Sequence, residues 1–380
     1  FMWTFSGNGN GTLQFTGFAA GVDENSGLAV TATASPKNVV AQIPRPLLTR
    51  PSLLAYPSQV SAGQLITLVM GVTNNGLADA DNTTALAHVN SGDVTLLSGP
   101  VPVTRTIAAG GGYGTFTWTY SANGSGNVIF TASAHSLGVD SQNNTSNTVI
   151  VQTAPVGNLT FQPLTSPLSV GQVITVVMRV TNNGQAQLNN LIPMLTAMGD
   201  TSGISYISGP LPVSASVAGN GGEAYFTWRY NITGSGSVSF YGEATGVDAN
   251  SGLTVVLEPK VSGSVAMQSV ATLSAGLIMP PVVSLNQVYT VRMYVSNTGM
   301  AGAVNVAPSS LNLAGSVGSA IRISGPSPAA QSIPGMSAVE FTWTYSAVGT
   351  GNVDFKGTAS GQDENSGSTV TSPQAQRVIN

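Results

Sequence analysis

All four tryptophans of this chain sit in one recurring phrase, and the spacing of that phrase decides what the chain can fold into. It reads "FMWTFSGNGNGTLQF" from Phe1, "FTWTYSANGSGNVIF" from Phe116, "FTWRYNITGSGSVSF" from Phe226 and "FTWTYSAVGTGNVDF" from Phe341. Trp3, Trp118, Trp228 and Trp343 are separated by 115, 110 and 115 residues. That period is too long for a solenoid and fits a small β-sandwich domain. The chain therefore divides into three whole repeats behind the latter part of another, with expected spans 1–50, 51–155, 156–260 and 261–380.

Within each repeat, apolar residues alternate. "GQLITLVMGVTNNG" puts Ile66, Leu68, Met70 and Val72 on one face. The second repeat matches it with Ile174, Val176, Met178 and Val180, the third with Tyr289, Val291, Met293 and Val295. A period of two over eight residues marks a half-buried antiparallel strand. The closing Asn-Asn-Gly or Asn-Thr-Gly tolerates positive φ and reads as a turn. "SGP" at Ser98, Ser208 and Ser324 reads as a break ahead of another strand. The aromatic strand then sets Phe116, Trp118 and Tyr120 against Thr117 and Thr119. The expected core is thus Trp3, Trp118, Trp228 and Trp343, with Phe116, Phe226, Phe341, Met70, Met178 and Met293. No segment shows useful helical periodicity. Many short strands between Gly, Pro and Asn turns describe an all-β fold of tandem antiparallel sandwiches.

Charge is scarce: eleven Lys/Arg and fifteen Asp/Glu in 380 residues, against a usual quarter of a chain. Ser, Thr, Asn, Gln and Gly must solvate the surface, and little repulsion keeps copies apart. The expected partners are therefore further copies of the chain, met through uncharged contacts. Scattered basic residues and a net charge of −4 argue against nucleic acid and against anionic membrane surfaces. Mean hydropathy is positive at +0.21, yet no apolar run reaches the ~18–20 residues of a membrane helix. Cysteine is absent, which removes disulfides and thiolate metal sites.

Candidate chemistry is thin. His88 and His135 lie apart in one repeat without counterparts elsewhere, and no paired carboxylates recur. The tryptophans alternate inward, as core residues do, rather than forming a sugar-stacking platform. The loops "GVDENSG" (Gly21), "GVDANSG" (Gly246) and "GQDENSG" (Gly361) carry Asp and Asn two apart, too few oxygens for a tight calcium site and the pattern of an Asx turn ending in glycine. No catalytic, cofactor-binding or metal residue is expected, and the chain reads as no enzyme. Asn10, Asn82, Asn123, Asn143, Asn144, Asn158 and Asn231 stand in glycosylation sequons, and sugars there would help solvate so uncharged a surface.

The order V-[TS]-N-x-G, F-x-W-x-Y, G-x-G-x-V-x-F and G-V-D-x-N resembles the bacterial cell-adhesion-related repeats and kindred surface-protein repeats. In "GVDSQNNTSNTVIV" the family's aspartate and asparagines fall on Asp140 and the Asn143/Asn144 pair. The resemblance implies immunoglobulin-like sandwiches on a secreted or surface-anchored protein, with no catalytic residues to carry over. The leading expectation is a structural segment of an extracellular fibre or surface layer. The alternatives are the stalk of an adhesin for carbohydrate or protein, and non-catalytic modules of a large secreted enzyme. Residues 1–50 hold only half a repeat, so their apolar face needs completing. Upstream residues of a longer chain are the favoured source, strands of a neighbouring subunit the other.

Overall fold

The computed structural model describes residues 1–9, 11–41, 44–313 and 317–380. Nearly all regular structure is strand; the one helical turn among the described residues is the 3-10 segment Thr201–Gly203. The chain parts into two compact units, Phe1–Ala154 and Pro155–Asn380.

In the first unit, Ser52–Tyr56, Leu65–Asn74, Gly112–Ala122 and Val94–Val101 form a four-stranded sheet in that spatial order. The facing sheet is built on Arg105–Ile107, Ala80–Ser91, Gly126–Ser136, Val149–Gln152 and Gln59–Ser61, the last pair running parallel. Register sets Trp118 opposite Leu68 and Phe116 opposite Met70, so the alternating apolar set lies on one face. Phe116, Met70 and Leu68 are fully buried and Trp118 nearly so. Tyr120 meets Phe130 of the facing sheet at a ring distance of 4.6 Å.

The second unit holds two further sandwiches with the same plan. Gly157–Phe161, Val173–Asn182, Gly222–Ile232 and Ile204–Leu211 form one four-stranded sheet; Leu273–Ile278, Val288–Asn297, Ser337–Ala347 and Ala320–Ser327 form its counterpart. Trp228 faces Val176 and Phe226 faces Met178; Trp343 faces Val291 and Phe341 faces Met293. All six of these aromatic and methionine side chains are buried. The inter-sheet pairs recur as Tyr230–Phe240 at 5.1 Å and Tyr345–Phe355 at 5.0 Å. One apolar cluster runs from Leu159 to Met267 and the next from Ala271 to Ile379. The molecule is all-β, with tandem immunoglobulin-like antiparallel sandwiches.

Two sequence expectations need correction. The phrase at Phe1 is no strand: the first strand is Gly11–Phe15, and Trp3 is 69% exposed where a core residue was expected. The reason is visible in the whole repeats, where each aromatic strand is hydrogen-bonded on both sides, as Gly112–Ala122 is by Leu65–Asn74 and Val94–Val101. Residues 1–8 have neither neighbour. The "SGP" triplets also do not break the chain ahead of a strand. They lie inside Val94–Val101, Ile204–Leu211 and Ala320–Ser327, at shifts in the pairing with the tryptophan strand. Glycine is required there: Gly209 has φ +130°, and a Cβ would stand 2.6 Å from Trp228 Cδ1. Each strand bulges over its tryptophan, and only a residue without a side chain passes so close.

Candidate interaction site at the ends of the sandwiches

Chemistry in this molecule gathers at the sandwich ends. At one end stands the first asparagine of each Asn-Asn-Gly or Asn-Thr-Gly turn. Asn74, Asn182 and Asn297 are fully buried or nearly so. The Asn297 amide nitrogen donates to Ala301 O at 2.8 Å and Ile333 O at 3.2 Å, while its oxygen accepts from Thr272 N and Gly299 N, both at 3.0 Å. Asn182 joins Ala186 O and Val217 O to Val156 N and Gly184 N. Asn74 does the same with Ala78 O, Ile107 O, Leu47 N and Gly76 N. A buried amide with all four hydrogen bonds made is a stable arrangement, and here it ties the entering chain to two loops. The sequence shows these residues only as turn formers.

The loop "GQDENSG" stands at the same end of the third repeat and docks on the second. Asp363 is fully buried. Its carboxylate accepts from Asn365 N at 3.2 Å and from Ser366 N and Oγ at 2.8 and 2.9 Å, which is the Asx turn. It also accepts from Ala271 N at 2.8 Å and from Ser169 Oγ of the second repeat at 2.9 Å. The Asn365 amide nitrogen donates to Ser169 Oγ at 3.1 Å and Gln268 Oε1 at 2.8 Å, and Gln172 Nε2 donates to Asn365 O at 3.2 Å. The short connection is held as well, with Ala301 N donating to Ser269 O and Met300 N to Ser269 Oγ. Burial pushes the Asp363 carboxyl up, but donors from Ala271, Ser366 and Ser169 outweigh it and hold the group below the usual carboxylate range.

The exposed loop at Asp23 has the same internal form. Asp23 accepts from Asn25 N, Ser26 N and Ser26 Oγ at 3.0, 2.9 and 3.0 Å. Ser26 N, then Ser26 Oγ and Asn25 N, hold its carboxyl below the ordinary range.

The other residues singled out in the sequence are not brought together. His88 is exposed on the outer part of its strand, and His135 is paired with exposed Asp140. Asn82, Asn123, Asn143 and Asn158 are exposed; Asn231 is half-buried. Asn144 is half-buried with its amide donating to Pro51 O at 2.6 Å, and Asn123 donates to Thr95 Oγ1 at 2.8 Å. Asn10 lies outside the described residues. No group of three or more metal-ligating side chains occurs among the described residues.

No family model matches the chain, and no curated protein matches it in sequence. Among solved structures it is similar to the Escherichia coli adhesin FdeC at 12% identity, covering 88% of this chain and 98% of that one, with a TM-score of 0.32. It is similar to Yersinia pseudotuberculosis InvD at 15% identity, covering 87% and 97%, with a TM-score of 0.34. An ICAM-5 ectodomain fragment matches at 12% identity, covering 87% and 76%, with a TM-score of 0.31. At such identities and scores nothing about ligand or role passes to this chain, and the cell-adhesion-related pattern stays a resemblance in the motifs.

Proposed function

We propose that this chain is a non-catalytic structural segment of an extracellular fibre or surface layer built from tandem sandwich repeats. The observation that carries the reading is the Asp363 joint. A flexible tether between binding modules needs no buried, fully hydrogen-bonded carboxylate at its hinge, and burying one costs free energy unless every donor is in place. Here Ser169, Gln172 and Gln268 are all committed to fixing one repeat on the next. A mechanical role needs cores, strands and set joints. The scant charge supports packing of copies side by side, and the exposed sequons at Asn82, Asn123, Asn143 and Asn158 leave room for surface glycans. Electron microscopy of the native material tests the reading. A regular polymer on or outside the cell, with a repeat commensurate with single sandwiches, supports it. Isolated stalks tipped by a distinct globule would favour the adhesin alternative, and an intracellular soluble protein would overturn both.

A further inference from the structure

The turn that receives the Asp363 loop has a twin at the far end of the third repeat. In the second repeat, Gln172 Oε1 accepts from Ser169 N at 2.6 Å and Gln172 N donates to Ser169 O at 3.1 Å. Gly171 N donates to Ile232 O, and Ile232 N returns a bond to Gln172 O. In the third repeat, Gln287 Oε1 accepts from Ser284 N at 2.8 Å and Gln287 N donates to Ser284 O at 3.0 Å. Asn286 N donates to Ala347 O, and Ala347 N to Gln287 O. The two turns are the same scaffold. Ser169 is fully buried under its loop, whereas Ser284 and Gln287 are exposed.

Two further observations mark the second turn as a receiving surface. A cleft of about 240 Å³ opens beside it, lined by Leu285, Tyr289, Ser319, Thr350 and Asn380 among others. Tyr289 is 5% exposed, and its hydroxyl is buried with no hydrogen-bond partner. The matching position in the second repeat is Ile174, so the third repeat has placed an unused polar group at this end. A buried hydroxyl without a partner is an unmade bond, a cost the third repeat carries beside this cleft.

A ligand of the right form is also present. Residues 23–27 read Asp-Glu-Asn-Ser-Gly, identical to residues 363–367. Both loops close with a glycine in the left-handed region, φ +66° at Gly27 and +68° at Gly367, and with the bond from that glycine N to the aspartate O. Every residue from Gly21 to Val30 is exposed. The loop is preformed and needs no ordering to dock, which lowers the cost of association.

We propose that the Ser284–Gln287 turn is a docking site for the Asp23–Gly27 loop of a second copy of this chain. The contact is heterologous, one surface on its unlike partner, and such contacts extend from copy to copy when the rotation does not close. This rests on the fibre reading and names the surfaces by which one copy joins the next. Ser284 Oγ and Gln287 Nε2 take the parts that Ser169 Oγ and Gln172 Nε2 play in the joint already described.

Sedimentation velocity of the intact chain over a wide concentration range tests it, with Asp23→Ala, Asn25→Ala and Gln287→Ala beside the parent. All three positions are exposed, and unchanged circular dichroism melts verify folding. The parent should associate with rising concentration, and each variant should weaken association at least tenfold. A mixture of Asp23→Ala and Gln287→Ala chains has one competent loop and one competent turn, so it should stop at dimers. A parent that stays monomeric at every concentration overturns the contact, as does association indifferent to all three changes. Native fibres that form regardless of these substitutions would sink this docking mode while leaving the fibre reading in place; native material without polymers would remove the reading itself.

Discussion

Replacing Asn297 by alanine removes a side chain that holds four backbone groups at once. Ala301 O and Ile333 O lose a donor, Thr272 N and Gly299 N lose an acceptor, and the site is too buried for water to replace them freely. At about 1 kcal/mol net per hydrogen bond, the loss is about 4 kcal/mol. That is a large fraction of a domain's stability of about 5–15 kcal/mol. Hydrogen exchange read by mass spectrometry on the intact chain resolves which repeat is affected. Amides in Val288–Asn297 and Ser337–Ala347 that exchange by unfolding of the third repeat should exchange roughly a thousandfold faster, at tenfold per 1.4 kcal/mol. Thr298→Ala, one residue on and exposed, is the control and should stay within about 0.5 kcal/mol. If Asn297→Ala and Thr298→Ala changed third-repeat exchange equally, the asparagine would be a turn former only, and the reasoning would fail.

Three other outcomes follow from the same geometry. Gly209→Ala forces a Cβ to within 2.6 Å of Trp228 Cδ1 at φ +130°, and should cost about 1–3 kcal/mol in chemical denaturation; a neutral result would contradict the close strand crossing. Trp228→Ala should cost about 3–5 kcal/mol, because the side chain is buried between sheets, and an unchanged midpoint would refute that register. Asp363 has its folded pKa held down, so its stabilising contribution is present above the ordinary aspartate value of about 3.9 and is lost as pH falls through the depressed folded value. The melting temperature of the parent should therefore drop in acid more steeply than that of Asp363→Asn, and parallel curves would contradict the joint's electrostatics.

What the sequence made legible is what depends on short-range pattern. Alternation placed Met178, Phe226 and Trp228 on one inward face because a strand's side chains turn over every residue, whatever its neighbours. Features that depend on pairing across the sandwich were not legible. Gly-Pro in "SGP" looks like punctuation until the neighbouring strand's register puts Gly209 over Trp228. The pattern at Phe1 forms no strand for want of flanking strands, a lack that the half-repeat of residues 1–50 does show in the sequence. Asn182 reads as a turn residue, since its partners Val156 and Val217 are distant in sequence. The Asp363 loop was recognisable as an Asx turn but not as a joint, because Ser169 lies 194 residues away. A signal was nonetheless present: the Ser-x-x-Gln set recurs at Ser61/Gln64, Ser169/Gln172 and Ser284/Gln287, at the mouth of each early strand.

The Asp363 loop fixes the second and third repeats to one another. The chain has no cysteine, so spin labels can be placed singly at Ser205→Cys and Ser310→Cys, exposed positions on the two sandwiches. Pulsed electron paramagnetic resonance then reads the distribution of distances between them in solution. A fixed joint gives one narrow peak in the parent and a broadened distribution when Asp363 is changed to alanine. A broad distribution in the parent, or one that Asp363→Ala leaves unaltered, would contradict it.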